Sequence, residues 1–134
     1  MSRVRRMRAG VYVMGAALLG LLSPVALPQS VLDFDDWMQR IDDGSQDLQR
    51  RIAARDQDGA RAAAREIEEL YDLMEKFFEK RGEAADAVRW SREGRDFARR
   101  AQVALDARGF GTAKRHALAI AHGCRDCHFH YKPL

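Results

Sequence analysis

From Phe34 to Tyr131 the apolar residues recur at steps of three and four, and nowhere after residue 30 do they alternate with period two. Such steps put side chains on one face of an α-helix, whereas a half-buried strand alternates at every second residue. The body of the chain is therefore expected to be helical throughout. Phe34, Met38, Ile41, Ser45, Leu48 and Ile52 form a first seam. Asp33 or Asp35 stands where a short carboxylate caps the first turn, and Asp56-Gln57-Asp58-Gly59 breaks the helix. A second seam joins Ala60, Ala64, Ile67, Tyr71, Met74 and Phe78, widened by Leu70 and Phe77, and stops at Arg81-Gly82. The third segment, about 84–108, carries Ala87, Trp90, Gly94, Phe97, Ala101 and Leu105 on its inner stripe, with Gly109 as its closing glycine. The fourth opens near Thr112, a residue type suited to an N-cap, and steps through Ala113, Ala117, Ile120, Cys124, Cys127 and Tyr131.

Four helices of about 17 to 25 residues joined by short loops predict an all-α fold, an antiparallel four-helix bundle. With only 10 Gly and 3 Pro in 134 residues, the many tight turns of an all-β fold are disfavoured. The inner faces are rich in alanine (Ala60, Ala64, Ala87, Ala101, Ala113, Ala117). Such a core is either closely packed or wrapped around something large, and the cysteine motif near the C-terminus favours the second.

Charge separates the N-terminus from the rest. The formal net charge is +3, but Arg3, Arg5, Arg6 and Arg8 precede any acid. Setting those four aside leaves 19 basic against 20 acidic residues. Arg and Asp/Glu alternate along the remainder, so no basic face exists for nucleic acid. Basic residues 1–8 followed by an uncharged stretch from Ala9 to Leu22 have the form of an export signal. Residues 1–26 thus read as a signal peptide or N-terminal anchor, 27–32 as a linker and 33–134 as the folded domain. Ser23, Pro24, Val25 and Ala26 offer a cleavage region, and the short apolar run with its Ser-Pro pair favours removal. An uncleaved anchor is the alternative, since 9–27 holds 19 uncharged residues, close to the roughly 20 that span a bilayer. Membrane contact is expected only through that stretch. On either reading the Arg cluster stays inside and residues 31–134 are exported, which points to the periplasm.

Cys124-Arg125-Asp126-Cys127-His128 is C-x-x-C-H, the signature of covalent haem attachment. Two thiols three residues apart on one helix can add to the two vinyl groups on neighbouring edges of a porphyrin. His128, four residues after Cys124, then lies under the ring with a nitrogen directed at iron. The expected cofactor is one covalent haem c, held by Cys124 and Cys127 with His128 as axial ligand. Export and the motif agree, because thioether formation needs haem and reduced cysteines outside the cytoplasm. A thioredoxin-like dithiol would need a βαβ context and a low-pKa thiol at a helix start. A zinc site could recruit Cys124, Cys127 and His122, His128 or His130, but no second ligand pair stands elsewhere. A disulfide across the motif would be strained and would not need the histidine.

A C-x-x-C-H on the last helix of an exported four-helix domain resembles the cytochrome c-prime superfamily, the class II cytochromes c. The resemblance covers residues 31–134. It extends to Tyr131-Lys132 beyond the histidine and to Phe77-Phe78-Glu79-Lys80-Arg81-Gly82 ending the second helix. Class I cytochromes c place the motif near the N-terminus with a Met ligand far downstream, and only seven residues follow Cys127 here. The resemblance implies a mono-haem protein rather than an enzyme, with redox proteins as partners. Superfamily members are often dimers through their first two helices.

The sixth position of the iron separates two functions. A closed, six-coordinate iron suits electron transfer; an open one binds small gases. Met38 lies on the inner seam of the first helix, and low-spin superfamily members use a Met near the start of theirs. Met38 is therefore the expected second axial ligand and Met74 its rival, with an open iron as the remaining alternative. Core packing is the plain role of any Met at helical spacing. Five-coordinate members commonly carry Arg-Gln in the first helix, where this chain has Asp35-Asp36-Trp37. Arg125 and Lys132 are the nearest basic candidates for the haem propionates. His116, His122 and His130 read as solvent-exposed, and Trp37, Trp90, Phe77 and Phe97 as core or haem-packing residues. No catalytic triad appears, and 109–114 lacks the spacing of a phosphate loop. The leading expectation is a periplasmic electron carrier. The alternative is a five-coordinate haem protein binding nitric oxide or carbon monoxide, with a zinc-bearing structural protein third.

Overall fold

A computed structural model describes residues 30–82 and 84–131. The proposed leader and Lys132 lie outside them. Four helices account for nearly all of this length: α1 (Val31–Ala53), α2 (Gln57–Arg81), α3 (Ala85–Asp106) and α4 (Phe110–Tyr131). Each packs on its neighbours in sequence, and α1 closes the ring against α4. Among the described residues no helix is long and apolar enough to cross a membrane. The all-helical expectation is met, and the arrangement is that of a four-helix bundle.

Local chemistry sets the ends. Ser30 caps α1: its hydroxyl accepts from the Asp33 N–H at 3.2 Å, while the Asp33 carboxylate accepts from the Ser30 N–H at 2.7 Å. This reciprocal pair satisfies two otherwise orphaned donors. It also places the helix start ahead of the expected cap, so Val31 and Leu32 are helical rather than linker. Asp56 caps α2 by accepting from Gly59 N–H at 3.0 Å. Gly82 ends α2 at φ 70°, as expected, and its N–H donates to the Phe78 carbonyl at 3.3 Å. After α3 the left-handed residue is Arg108 at φ 55°, not Gly109. Helix α4 begins at Phe110, leaving Thr112 within its first turn.

The two ends of the bundle differ. At one end the α1–α2 and α3–α4 turns meet: Gln57 donates to the Leu105 carbonyl at 2.6 Å and Arg61 pairs with Asp106 at 2.7 Å. Here Ala60, Ala64, Ala101, Ala113 and Ala117 are fully buried. Small side chains let the helices approach closely, so this half is tightly packed. The alanines therefore do not frame the gap that their abundance suggested. At the other end Phe34, Trp37, Phe77 and Phe78 stack together, with Phe34 and Phe77 centroids 5.2 Å apart and nearly parallel. Burying each such ring contributes about 2–3 kcal/mol.

Helix α3 uses smaller residues than its sequence pattern indicated. Ser91 and Ala98 are buried beside Ala87, Gly94, Ala101 and Leu105, while Trp90 and Phe97 are only half-buried. The two aromatics flank the interface and the small residues fill it. Glu75 of α2 is buried against Arg92 and Arg95 of α3, which fastens these two helices on their outer side.

Candidate functional site

The aromatic end of the bundle contains a small cavity of about 20 Å³ to which all four helices contribute. Met38 and Ile41 come from α1, Tyr71 and Met74 from α2, and Trp90 and Ser91 from α3. The α4 wall is Gly123, Cys124, Cys127 and His128. Positions 124, 127 and 128 share one helical face, and Gly123 removes bulk beside them. The lining is apolar apart from the site residues and two hydroxyls, and Ser91 spends its own on the Ala87 carbonyl at 2.8 Å. A wider groove between α1 and α4 shares Met38 and His128 with the cavity and reaches the surface past Asp35, Gln39, Asp42 and Asp43.

The structure therefore brings Cys124, Cys127, His128 and Met38 to a single cavity. Of the four histidines, all on α4, only His128 is among its lining residues. His116 sits far along α4 against Phe97, and burial with nearby Arg100 and Arg115 pushes its pKa down. His122 is exposed and bonded to Arg125, one of the two suggested propionate partners. His130 bonds the Asp126 carbonyl at 2.9 Å and packs at a tilt against Trp90. Both methionines of the described residues, Met38 and Met74, face the cavity. Met38 stands at the mouth that opens into the groove, and Met74 in the closed wall at 3% exposure.

Both cysteines are unpaired and half-buried. Burial raises the Cys124 pKa, and burial together with nearby Cys124 raises that of Cys127 to about 11. Both thiols are thus protonated at neutral pH. A redox dithiol works through a thiolate, usually at a helix start or beside a cation; these sit near a helix end in an apolar wall. Among the described residues no group of three or more His, Cys, Asp or Glu side chains converges to hold a metal ion. A zinc site needs three or four such donors together, so the local geometry does not favour one.

A haem makes different demands: two thiols on one face, one imidazole beside them, an apolar slot and a ligand from the opposite wall. The residues of this cavity fit that group. Cys124 and Cys127 would carry the thioethers, and His128 and Met38 would stand on the two sides of the iron. The groove offers no cation to a carboxylate, since its charged lining is Asp35, Asp42 and Asp43.

Tyr71 is the residue of the site that the sequence did not single out. It read as one more member of the second seam, and only its polar tip distinguished it. The side chain is 6% exposed and its hydroxyl reaches across the bundle to within 3.6 Å of Cys124 Sγ. Burial raises its pKa well above the ordinary value, so the phenol stays neutral. Gly94 makes the room: a Cβ there would fall 2.4 Å from the tyrosine Cζ. Compared with protein-family models, curated proteins and solved structures, the chain finds no match.

Proposed function

We propose that this chain is an exported mono-haem c-type cytochrome that carries single electrons between redox proteins in the periplasm. The observation that carries the reading is the convergence of Cys124, Cys127, His128 and Met38 on one apolar cavity. The haem would supply an iron that gains and loses one electron. The chain's own residues do the rest. Cys124 and Cys127, three apart on α4, fix the cofactor to a helix that is itself packed on two neighbours. His128 would present an imidazole nitrogen to the iron on one side. Met38 would present a thioether on the other, and a sulfur ligand favours the reduced iron.

His128 and Met38, both holding the iron, would limit its rearrangement when its charge changes. The apolar walls formed by Ile41, Met74 and Trp90 would limit water at a bound haem, and exclusion of water favours the less charged, reduced state. The groove past Met38 leaves one edge of the site near the surface, where a partner could approach without entering the core.

The test is the visible absorption spectrum of the matured protein in both oxidation states. Sharp, split ferrous bands with a weak far-red ferric band from sulfur ligation support the Met38–His128 pair. A high-spin spectrum that shifts with carbon monoxide would replace the electron carrier with the gas-binding reading.

A further inference from the structure

Tyr71 has no assigned part in holding the cofactor, yet three independent features of the fold converge on its hydroxyl. It lies in the cavity wall, deep in the bundle. It is 3.6 Å from Cys124 Sγ, spanning a diagonal of the ring of helices. Its ring occupies space that exists only because position 94 lacks a side chain. A buried hydroxyl in an apolar wall is costly unless it finds a partner, and Cys124 is the partner the structure supplies.

We propose that Tyr71 is a positioning residue for Cys124 and that it tunes the iron through that sulfur, a role that rests on the haem reading above. In the unloaded chain either atom can donate. When Cys124 adds its S–H across a vinyl double bond, one C–S and one C–H bond form, and no oxidant or reductant is needed. The sulfur then has no proton to give, so the hydroxyl becomes the donor. The positive end of the O–H dipole would then point at the sulfur that carries the haem. Ferrous iron carries one positive charge fewer than ferric iron, so that dipole favours the reduced state. Hydrogen bonds to groups around a metal centre act on its potential in this way.

Tyr71→Phe keeps the ring against Gly94 and removes only the hydroxyl. In matured protein poised at a fixed potential, the ferric-to-ferrous ratio should rise, by less than the about tenfold that one whole net hydrogen bond would supply. The thioether C–S vibration seen by resonance Raman should shift between H₂O and D₂O in the parent and not in the variant. In unloaded chain with Cys127→Ser, the remaining S–H stretch should move when Tyr71→Phe is added, a readout that needs no haem. Circular dichroism and melting of Tyr71→Phe guard against a merely structural effect. An unchanged ratio overturns the proposal, and so does an S–H band that Tyr71→Phe leaves in place. Matured parent protein with no covalent haem overturns the cytochrome reading itself and takes the tuning role with it, whereas a failure confined to Tyr71→Phe leaves that reading standing.

Discussion

Tyr131, three residues beyond His128, donates its hydroxyl to Asp86 at the start of α3. The Tyr131 ring also lies 5.5 Å from Phe78 of α2 and 6.1 Å from Trp90 of α3. One side chain thus fastens the last turn of α4 to two other helices, and that turn carries Cys127 and His128. The clamp has a defined pH range. The Tyr131 bond holds the Asp86 carboxyl below its ordinary value, while the Asp86 carboxylate pushes the Tyr131 phenol up to about 12.

The signs follow by linkage. Asp86, with its lowered pKa, stabilises the fold above the unfolded value and loses that contribution as pH falls through the folded one. Tyr131, with its raised pKa, stabilises below the unfolded value near 10 and loses its contribution as pH rises through about 12. Tyr131→Phe should therefore melt below the parent across neutral pH, and the gap should close at both extremes. Thermal melts followed by circular dichroism over pH 3–12 would check this. A constant gap would mean that the hydroxyl does not act through Asp86.

Gly94→Ala sets two effects against each other. Alanine gains about 1 kcal/mol of helix propensity, but a Cβ would lie 2.4 Å from the Tyr71 ring. Overpacking of this kind costs about 1–3 kcal/mol, so the clash prevails and the variant should lose about 1 kcal/mol in urea unfolding. Combining it with Tyr71→Leu should cost less than the sum of the two single changes. Additive costs would place the strain elsewhere.

Glu75 and Glu66 both pair with arginines and should respond differently. The Glu75 side chain is 9% exposed between Arg92 and Arg95, whereas Glu66 and its partner Arg40 are about half exposed. Removing one member of a buried pair strands the other charge, although Arg95 keeps Asp72 at 3.3 Å. Glu75→Ala should cost about 2 kcal/mol, and Glu66→Ala about 0–1 kcal/mol. Denaturant midpoints measured at low and high salt would separate them, with only the Glu66 effect vanishing in salt.

Met38→Ala should turn the ferric iron high-spin and let the ferrous form take up carbon monoxide, while Met74→Ala should leave the spin state unchanged. Both can be read by absorption and electron paramagnetic resonance. Unaltered spectra for Met38→Ala would remove Met38 from the site.

Much of this architecture was legible because helical spacing is a direct record of burial. Phe34, Ile41, Ser45, Leu48 and Ile52 are all buried as their steps required, and Met38 is half-buried at the cavity mouth. The third helix misled because a hydrophobicity pattern weights large residues. Trp90 and Phe97 looked like part of its core, while Ser91 and Ala98 pack there beside the expected Ala87, Gly94, Ala101 and Leu105. The alanines misled for a related reason: small residues bring helices together at one end and leave the opening to the end where Met, Tyr and Trp stand. That Met38 faces inward was readable from its seam, whereas its meeting with positions 124, 127 and 128 was implied by the resemblance alone. The reach of Tyr71 to Cys124 was not readable, since it joins residues 53 apart across a diagonal through the space at Gly94.

The most direct measurement is the mass of the mature protein, produced with the haem-attachment machinery and stripped of non-covalent ligands by acid. Addition of thiols to vinyl groups loses no atoms, so the polypeptide should gain the mass of one whole haem. Peptide mapping should place it on the segment holding Cys124 and Cys127, with neither thiol free to be alkylated. A polypeptide of unmodified mass, with both thiols reactive, would contradict the account.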